Sequence, residues 1–369
     1  MKSLAIINDR IQESLPVEST GTANISGTNI TCGIVDVPRP HFDAKQEYNK
    51  DHVLVEVTAF SCNYRDKGLI LKSAKKMGGD FRENSFPLSF FGSDFVGKVR
   101  MRGKGVENLQ TGDRVIPDCS YPFEPAKNIP AGVVTNEASK KWLRLHKTRL
   151  KKIPNSMPDE IAAGYSIGGQ TSSSMIRRTG VKKGDKILVT SARSHTSLFI
   201  IRKLLAMGII PDVLTTSDWD SKEIDYISPS KMFKIERGTT NWNNIVEKYD
   251  VIFDPFFDLH INKAVDHMNY YGRYITCGFK NQHTDFQEKT DQNGIDLKKI
   301  LLQSTIYNLS IMGNCIGTKE DLDNSIKFFE TDKQPIPVQK VMNIHEGKDF
   351  LDLTYNLNKF GKVILKYDD

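Results

Sequence analysis

The stretch Lys186-Ile-Leu-Val-Thr-Ser-Ala-Arg-Ser-His-Thr-Ser-Leu-Phe-Ile-Ile-Arg-Lys-Leu-Leu-Ala-Met-Gly208 reads as strand, turn and helix. A short apolar run, Ile187 to Val189, enters a turn of small polar residues. Beyond it Leu198, Ile201, Leu204 and Leu205 recur near helical spacing. A helix that begins there aims backbone N–H groups outward from its first turn, the arrangement that receives a pyrophosphate. Such turns usually need glycines for the tight bend, for close approach of phosphate and for packing of helix on strand. Here those places are taken by Ser191, Ala192, Arg193, Ser194, His195, Thr196 and Ser197. Serine and alanine keep part of the room, while Arg193 and His195 offer charge and hydrogen bonds that glycine lacks. The motif is weak alone and has to be carried by its surroundings.

Around this stretch the chain changes character. Val53–Phe60 and Phe95–Arg100 are rich in β-branched and aromatic residues, and Gly112–Pro117 reads as a turn into another strand. The first part is therefore expected to be all-β. From about Pro158 the segments 160–167 and 171–178 look helical, and Pro211–Thr216, Tyr249–Pro255 and Gly272–Gly278 read as strands, with helical material at Ile261–Met268. Alternation of this kind implies a parallel, doubly wound sheet. Asn308–Gly317 is strand-like, Glu320–Phe329 helical, and Gly361–Lys366 a closing strand. The polar run 282–293 is expected as a mobile loop.

Size and composition narrow the class. At 369 residues the chain suits two domains. A hydrophobic content of 38% with 26% charged residues describes a globular protein, and no apolar run approaches a bilayer span or a secretory signal. A cytoplasmic location is the expectation, with no membrane partner. The five cysteines are far apart, odd in number and without a CxxC pair, as reduced thiols of an intracellular protein are, and they argue against a structural zinc. The net charge of +6 is concentrated partly in 140–152, where interleaved apolar residues suit a strand with one solvated face better than a nucleic-acid surface.

Asn63-Tyr-Arg-Asp66, Gly92-Ser-Asp-Phe-Val-Gly97, Gly112-Asp-Arg-Val115, Gly184-Asp-Lys-Ile-Leu-Val189, Asp254-Pro255, Gly272-Arg-Tyr-Ile275 and Gly361-Lys-Val363 follow one another in an order and spacing that resemble the medium-chain dehydrogenase/reductase superfamily, over nearly the whole chain. The resemblance implies an α/β protein, a GroES-like β-rich catalytic domain with a Rossmann-type doubly wound parallel sheet inserted. The expected bounds are 1–155 for the first part of the catalytic domain, 156–290 for the nucleotide-binding domain, and 291–369 for the end of the Rossmann sheet and the return.

Within that family the metal question turns on ligands. A catalytic zinc needs three protein donors around an open position. The place usually held by cysteine falls on Asn63 and the usual histidine on Ser93; Cys62 is one residue off, and Asp94 could bind a metal in principle. Only Cys119 lies near the four-cysteine lobe. The chain thus resembles the zinc-free quinone, enoyl and acryloyl-thioester reductases, and no metal residue is expected. Without a Lewis acid, hydride addition to an activated C=C needs a hydrogen bond to the conjugated carbonyl and a proton for the neighbouring carbon. Tyr64 is the local candidate donor, or alternatively a packing residue. Asn63 and Asp66 suit fixing of the loop, and Asp94 could orient Tyr64 or Arg65. The candidate catalytic set is Tyr64, Asn63 and Asp94.

The cofactor-binding set is Thr171, Ser191, Ala192, Arg193, Ser194, His195, Thr196, Ser217, Lys222, Cys277 and Gly278. Val213–Asp218 ends its strand in hydroxyls, and Lys222 follows a helical turn later. This resembles NADPH-dependent members, with Ser217, Lys222 and Tyr226 toward the adenosine phosphate; Asp218 is a contrary sign, and a solvated helix start explains the same residues. The leading reading is an NADPH-dependent reductase of a small α,β-unsaturated carbonyl substrate, with homodimerisation possible. A zinc-free alcohol, aldehyde or peptide-modifying dehydrogenase, and a non-catalytic binding member with an eroded turn, are the alternatives. Phe90, Phe91, Tyr121, Phe123, Phe256 and Phe257 hint at an aromatic substrate chamber, although core packing explains such residues as well.

Overall fold

The computed structural model describes residues 1–8, 11, 15–78, 87–121, 137–236, 242–280, 294–332, 334–355 and 358–368. The expected loop at 282–293, and Phe123, lie outside them. The chain forms two compact units. One joins Met1–Cys119, Phe123–Ile167 and Pro337–Asp369; the other joins Ser120–Pro122 and Gly168–Ile336. The segment after residue 155 stays with the first unit, because Asp159 accepts from Thr58 Oγ1 at 2.8 Å and from Arg114 Nε at 3.0 Å.

The first unit runs through β1 (Lys2–Ile7), β2 (Val17–Ile25), β3 (Thr28–Asp36), β4 (His52–Ser61), α1 (Tyr64–Gly78), β5 (Leu88–Ser89), β6 (Asp94–Arg102), β7 (Arg114–Pro117), β8 (Trp142–His146), β9 (Leu150–Lys152) and α2 (Asp159–Ala162). After α3 (Ser166–Thr179) the second unit alternates β10 (Ile187–Val189), α4 (His195–Ala206), β11 (Asp212–Thr215), α5 (Ser221–Ile227), β12 (Met232–Lys234), β13 (Tyr249–Asp254), α6 (Phe257–Ala264), β14 (Met268–Thr276), α7 (Leu297–Tyr307), β15 (Ser310–Gly313) and α8 (Lys319–Thr331). The first unit then closes with β16 (Val338–Asn343), α9 (Gly347–Tyr355) and β17 (Lys362–Lys366).

Among the described residues the first unit holds a sheet in the order β2-β3-β1-β5 and a larger one in the order β16-β17-β4-β6-β7-β9, with β8 also on β4. Strand β4 is central because Val53, Leu54, Val55, Val57, Ala59 and Phe60 are all buried. Its register decides what meets at its carboxyl end. Ser61 lies opposite Asp94 on β6, and Phe60 opposite Leu365 on β17. Carried three residues further, the antiparallel register with β17 sets Lys362 across from Asn63.

Helix α1 interrupts the part expected to be all-β. Ile70 and Leu71 are buried and Met77 nearly so, while Lys72, Lys75 and Lys76 lie outside that face. The helical spacing of Ile70, Ala74 and Met77 is the signal that reading had missed. The helices expected at 160–167 and 261–268 also move: α2 is a single short turn, and α6 starts earlier and gives way to a 3₁₀ turn at Val265–His267.

In the second unit the described residues form six parallel strands in the order β12-β11-β10-β13-β14-β15. Chain order reverses between β10 and β13, which makes their carboxyl ends the switch point of the sheet. Asp254 fastens that edge: it is fully buried and accepts from Thr190 Oγ1 at 2.7 Å, Phe256 N at 2.9 Å and the Tyr274 hydroxyl at 2.5 Å, and its Oδ1 lies 2.8 Å from His260 Nδ1. Burial pushes this carboxyl up, but His260, Tyr274 and Thr190 together pull it below its ordinary pKa.

Lys203 on α4 fastens the helices. Its buried ammonium donates to Gly169 O at 2.8 Å, Ser172 Oγ at 2.9 Å, Ser173 Oγ at 2.5 Å and Ser325 Oγ at 3.2 Å, which pins α4 to α3 and α8. Among the described residues no carboxylate makes a hydrogen bond to it, and burial holds its pKa well below 10.5. Between the folded pKa and 10.5 the folded chain binds fewer protons at Lys203 than the unfolded chain does, so stability rises with pH across that window. The urea midpoint of the wild type should therefore gain on that of Lys203→Met between neutral pH and pH about 10; parallel pH profiles would contradict this.

Candidate active site and dinucleotide turn

Strands β4, β6 and β17 deliver their ends to one place in the first unit. Asn63 follows β4, and its Nδ2 donates to Ser93 Oγ at 3.0 Å and to Asp94 Oδ2 at 2.8 Å. Ser93 Oγ in turn donates to Asp66 Oδ2 at 2.5 Å, and the backbone N–H of Asn63 donates to the same oxygen at 2.6 Å. Asp66 thereby caps the start of α1, as expected of a loop-fixing residue. Asp94 Oδ1 accepts from Ile167 N at 3.0 Å.

Beneath this network lies Lys362, absent from the expected site. Its ammonium donates to Asn63 Oδ1 and to Cys62 O, both at 2.8 Å, and is 3.8 Å from Asp94 Oδ2. Asp66, Ser93 and Asp94 are wholly buried and Lys362 is 4% exposed. Burial pulls the lysine below its usual pKa, and Asp94 and Asp66 oppose that pull. Burial pushes Asp66 upward against its hydrogen bonds from Ser93 and Asn63. The turn before Lys362 depends on Gly361: φ is +94°, and a Cβ there would meet Pro337 O at 2.1 Å. The sequence signal was available, since Gly361-Lys-Val363 is one of the landmark pieces, but a lone lysine in a closing strand gives no hint of burial.

The donor set does not fit zinc. Asn63 and Ser93 spend their polar atoms on one another and on the two carboxylates, and burial pushes the Cys62 thiol well above its usual pKa, away from the thiolate a metal requires. Among the described residues no group of three His, Cys, Asp or Glu is placed to hold a metal ion. Tyr64, the first residue of α1, is half-buried, with the Lys67 ammonium 5.4 Å from its ring centre.

In the second unit the glycine-free turn is built as follows. Ser191 takes φ +46°, the left-handed region a glycine would occupy without strain. Ser194 caps α4, its Oγ accepting from Ser197 N at 3.2 Å. Ser197 is wholly buried and returns its hydroxyl to Thr190 O at 2.9 Å, so a serine fits the close packing of helix on strand by bonding to the strand itself. His195 stacks edge-on against Phe199 and stands close to Gly168, with no room there for a Cβ. Thr196 is half-buried beside it.

Arg193 is drawn away from the turn. Its guanidinium grips Glu223 through Nη1 at 2.9 Å and Nη2 at 2.5 Å, also bonds Asp218 O, and lies 5.1 Å over the Trp219 ring. Its charge is matched within the protein. Ser217 N donates to Thr215 Oγ1 at 3.2 Å, and Lys222 is exposed in the first turn of α5. The Tyr226 hydroxyl is 3.4 Å from Pro335 O. Thr171 is buried on α3, while Cys277 and Gly278 follow β14 at the carboxyl edge of the sheet. Of the aromatic residues in the first unit, Phe91 is core and Phe90 packs on the cluster of Ala5, Ile7, Ile11 and Val35.

Comparison with known proteins agrees with this geometry. A model of the alcohol dehydrogenase GroES-like domain matches residues 49–136. An acryloyl-coenzyme A reductase of Sulfurisphaera tokodaii is 24% identical over 343 residues, covering 86% of this chain and 92% of that one. Among solved structures, an NAD-dependent alcohol dehydrogenase superposes with a TM-score of 0.72 at 17% identity over 99% of each chain. The quinone oxidoreductase of Coxiella burnetii superposes with a TM-score of 0.69 at 17% identity, again over 99% of each. Together these support the medium-chain dehydrogenase/reductase superfamily, whose members are oxidoreductases, with a GroES-like domain and a Rossmann-like parallel sheet. No helix among the described residues is long and apolar enough to cross a membrane.

The buried ammonium carries a testable consequence. Lys362→Met leaves Asp66 and Asp94 interred without their cation and should cost about 3 kcal/mol or more, read as a large fall in the urea midpoint. Lys362→Arg, which keeps the charge, should recover much of it. A loss no greater than that of the exposed Lys104→Met would show that the carboxylates do not depend on Lys362.

Proposed function

We propose that this chain is a zinc-independent, NADPH-dependent reductase that delivers hydride to the activated C=C of an α,β-unsaturated carbonyl compound of enoyl, acryloyl or quinone type. The observation that carries the reading is the fate of Asn63 and Ser93: the positions a zinc enzyme gives to metal ligands are here closed into a hydrogen-bond network around Lys362. Such a site offers hydrogen bonds and fixed charge but no Lewis acid, which suits conjugate reduction better than carbonyl reduction. The acryloyl-coenzyme A reductase relative supports the same reaction class.

The residues fit a dinucleotide. Ser191, Ala192, Ser194 and Thr196 shape a turn of small side chains at the start of α4, whose first-turn amides and dipole suit a pyrophosphate. Thr171, His195, Cys277 and Gly278 border the nicotinamide half, and Ser217 and Lys222 take the 2′-phosphate, because Arg193 is committed to Glu223. A reduced nicotinamide bound there supplies the hydride. Tyr64 donates to the substrate carbonyl or its α-carbon, Asn63 sets the start of α1 through Asp66, and Asp94 fixes Asn63.

The chain acts in the cytoplasm as a homodimer. Support for the dimer is the exposed apolar face of the second unit, where Leu297, Leu301, Leu302 and Ile306 of α7 and Ile311 of the edge strand β15 are all at least 40% exposed.

Tyr64→Phe removes one hydroxyl and should leave NADPH affinity intact while lowering the rate of enone-dependent NADPH oxidation by about 10²-fold. Unchanged turnover would return Tyr64 to a packing role. NADPH should bind more tightly than NADH, and Lys222→Ala should narrow that gap several-fold, about 1 kcal/mol for one exposed phosphate contact. Equal affinity of the unaltered protein for both cofactors would remove Ser217 and Lys222 from the phosphate site.

A further inference from the structure

Between Tyr64 and Asp66, in the first turn of α1, stands Arg65. Its Nε and Nη2 are buried, and among the described residues neither has a hydrogen-bond partner. These two nitrogens form one edge of the guanidinium plane, with their N–H bonds side by side. That edge is the fork to which a carboxylate binds through both oxygens. A buried, charge-bearing donor left unsatisfied is costly, and in a native protein such a group calls for an explanation, a catalytic role or a bound ion among them.

Asp66, whose carboxylate feels the charge of Arg65, does not complete it. Asp66 is wholly buried and turns Oδ2 to Ser93 and to the backbone of Asn63, while its Oδ1 has no partner among the described residues either. Arg65 acts on Asp66 through its charge, favouring the ionised form, without bonding to it. Lys362 adds a second buried cation to the same neighbourhood, and Lys359, beside it, is brought down to about 8 by burial and by the charge of Lys362. Asp66 and Asp94 are buried among these cations, so the charges there are mixed, and one edge of one cation is left to be used.

We infer that Arg65 is a substrate-recognition residue that receives a carboxylate through its Nε and Nη2 edge, so that the preferred substrate is an unsaturated carbonyl compound carrying a carboxylate remote from the conjugated carbonyl. The inference rests on the reductase reading for the rest of the substrate, but the anion site stands on Arg65 alone. It names a substrate class, acidic enones, that separates this chain from reductases of neutral quinones.

The test uses the full chain and two kinds of probe. Levulinate and methyl isoamyl ketone have nearly the same shape and differ in the carboxylate; calorimetry, with and without NADPH, should show levulinate binding tenfold or more tightly, about the effect of one charge-assisted bidentate pair. Arg65→Gln should reduce the preference to about twofold or less. If that variant fails to fold, Arg65→Lys serves, since it keeps the charge but loses the two-pronged edge, and the preference should fall several-fold. Equal binding of the two probes, a preference that survives Arg65→Gln or is unchanged in Arg65→Lys, or tighter binding of inorganic phosphate than of levulinate would overturn the inference. Turnover separates it from the underlying reading. NADPH consumed with acetylacrylate far faster than with ethylidene acetone upholds both, and equal consumption of the two upholds the reductase while rejecting the carboxylate. Consumption of neither, with the levulinate preference intact, rejects the reductase and keeps the anion site.

Discussion

The ammonium of Lys362 is the constraint around which the first unit's site is arranged. Two aspartates, Asp66 and Asp94, are wholly buried there, and a carboxylate taken out of water without a cation or strong donors would not remain ionised. Lys362 answers that need only because β17 lies against β4 in a register that puts it across from Asn63, and because Gly361 admits the turn that starts the strand. Asn63 is then held from both sides, its oxygen by the lysine and its nitrogen by Asp94 and Ser93. The start of α1 inherits that rigidity through Asp66. Tyr64 and Arg65, the residues given contact with substrate in the proposed reaction, are carried on that first turn.

The second unit meets a different demand, since its turn has lost the residues that make such turns easy. The left-handed backbone at Ser191 costs on the order of 1 kcal/mol relative to glycine. The hydroxyls offset part of that. Ser194 satisfies a first-turn amide, and Ser197 turns a steric problem into a hydrogen bond to Thr190. Asp254 locks the same edge from the neighbouring strand by accepting from Thr190 and Tyr274, so the turn sits on a fixed base. Arg193, one of the residues expected at the cofactor, holds α5 against the turn through Glu223.

What the sequence made legible follows from what each feature depends on. The parallel sheet was readable because β10 and the centre of β13, Val251–Phe253, are buried on both faces and so appear as short apolar runs. Asn63, Asp66 and Asp94 were readable because they sit in short landmark pieces, and the structure brings all three into one network. Lys362 was not, for its role depends on a strand pairing some 300 residues distant in the chain. Helix α1 was missed because its start coincides with the polar landmark Asn63–Asp66, which masks the apolar spacing of Ile70, Ala74 and Met77. The partner of Arg193 lies on another helix, which composition alone does not reveal.

Charge joins the proposed independence from zinc to the kind of reaction proposed. A dication beside Asp66 and Asp94 would compete with Lys362 for the same carboxylates and would meet repulsion from Arg65 and Lys359 near by. Replacing thiolate and imidazole by Asn63 and Ser93 removes the ligands, and placing an ammonium beneath them supplies one fixed charge where a metal would supply two. A fixed, buried cation does little to activate an alcohol, which needs a metal or a base to lose its proton. It does stabilise negative charge that develops on a conjugated oxygen as hydride arrives, without bonding to that oxygen. The proposed zinc independence and the proposed preference for conjugate reduction would then be one electrostatic choice, fixed by the register of β17 on β4.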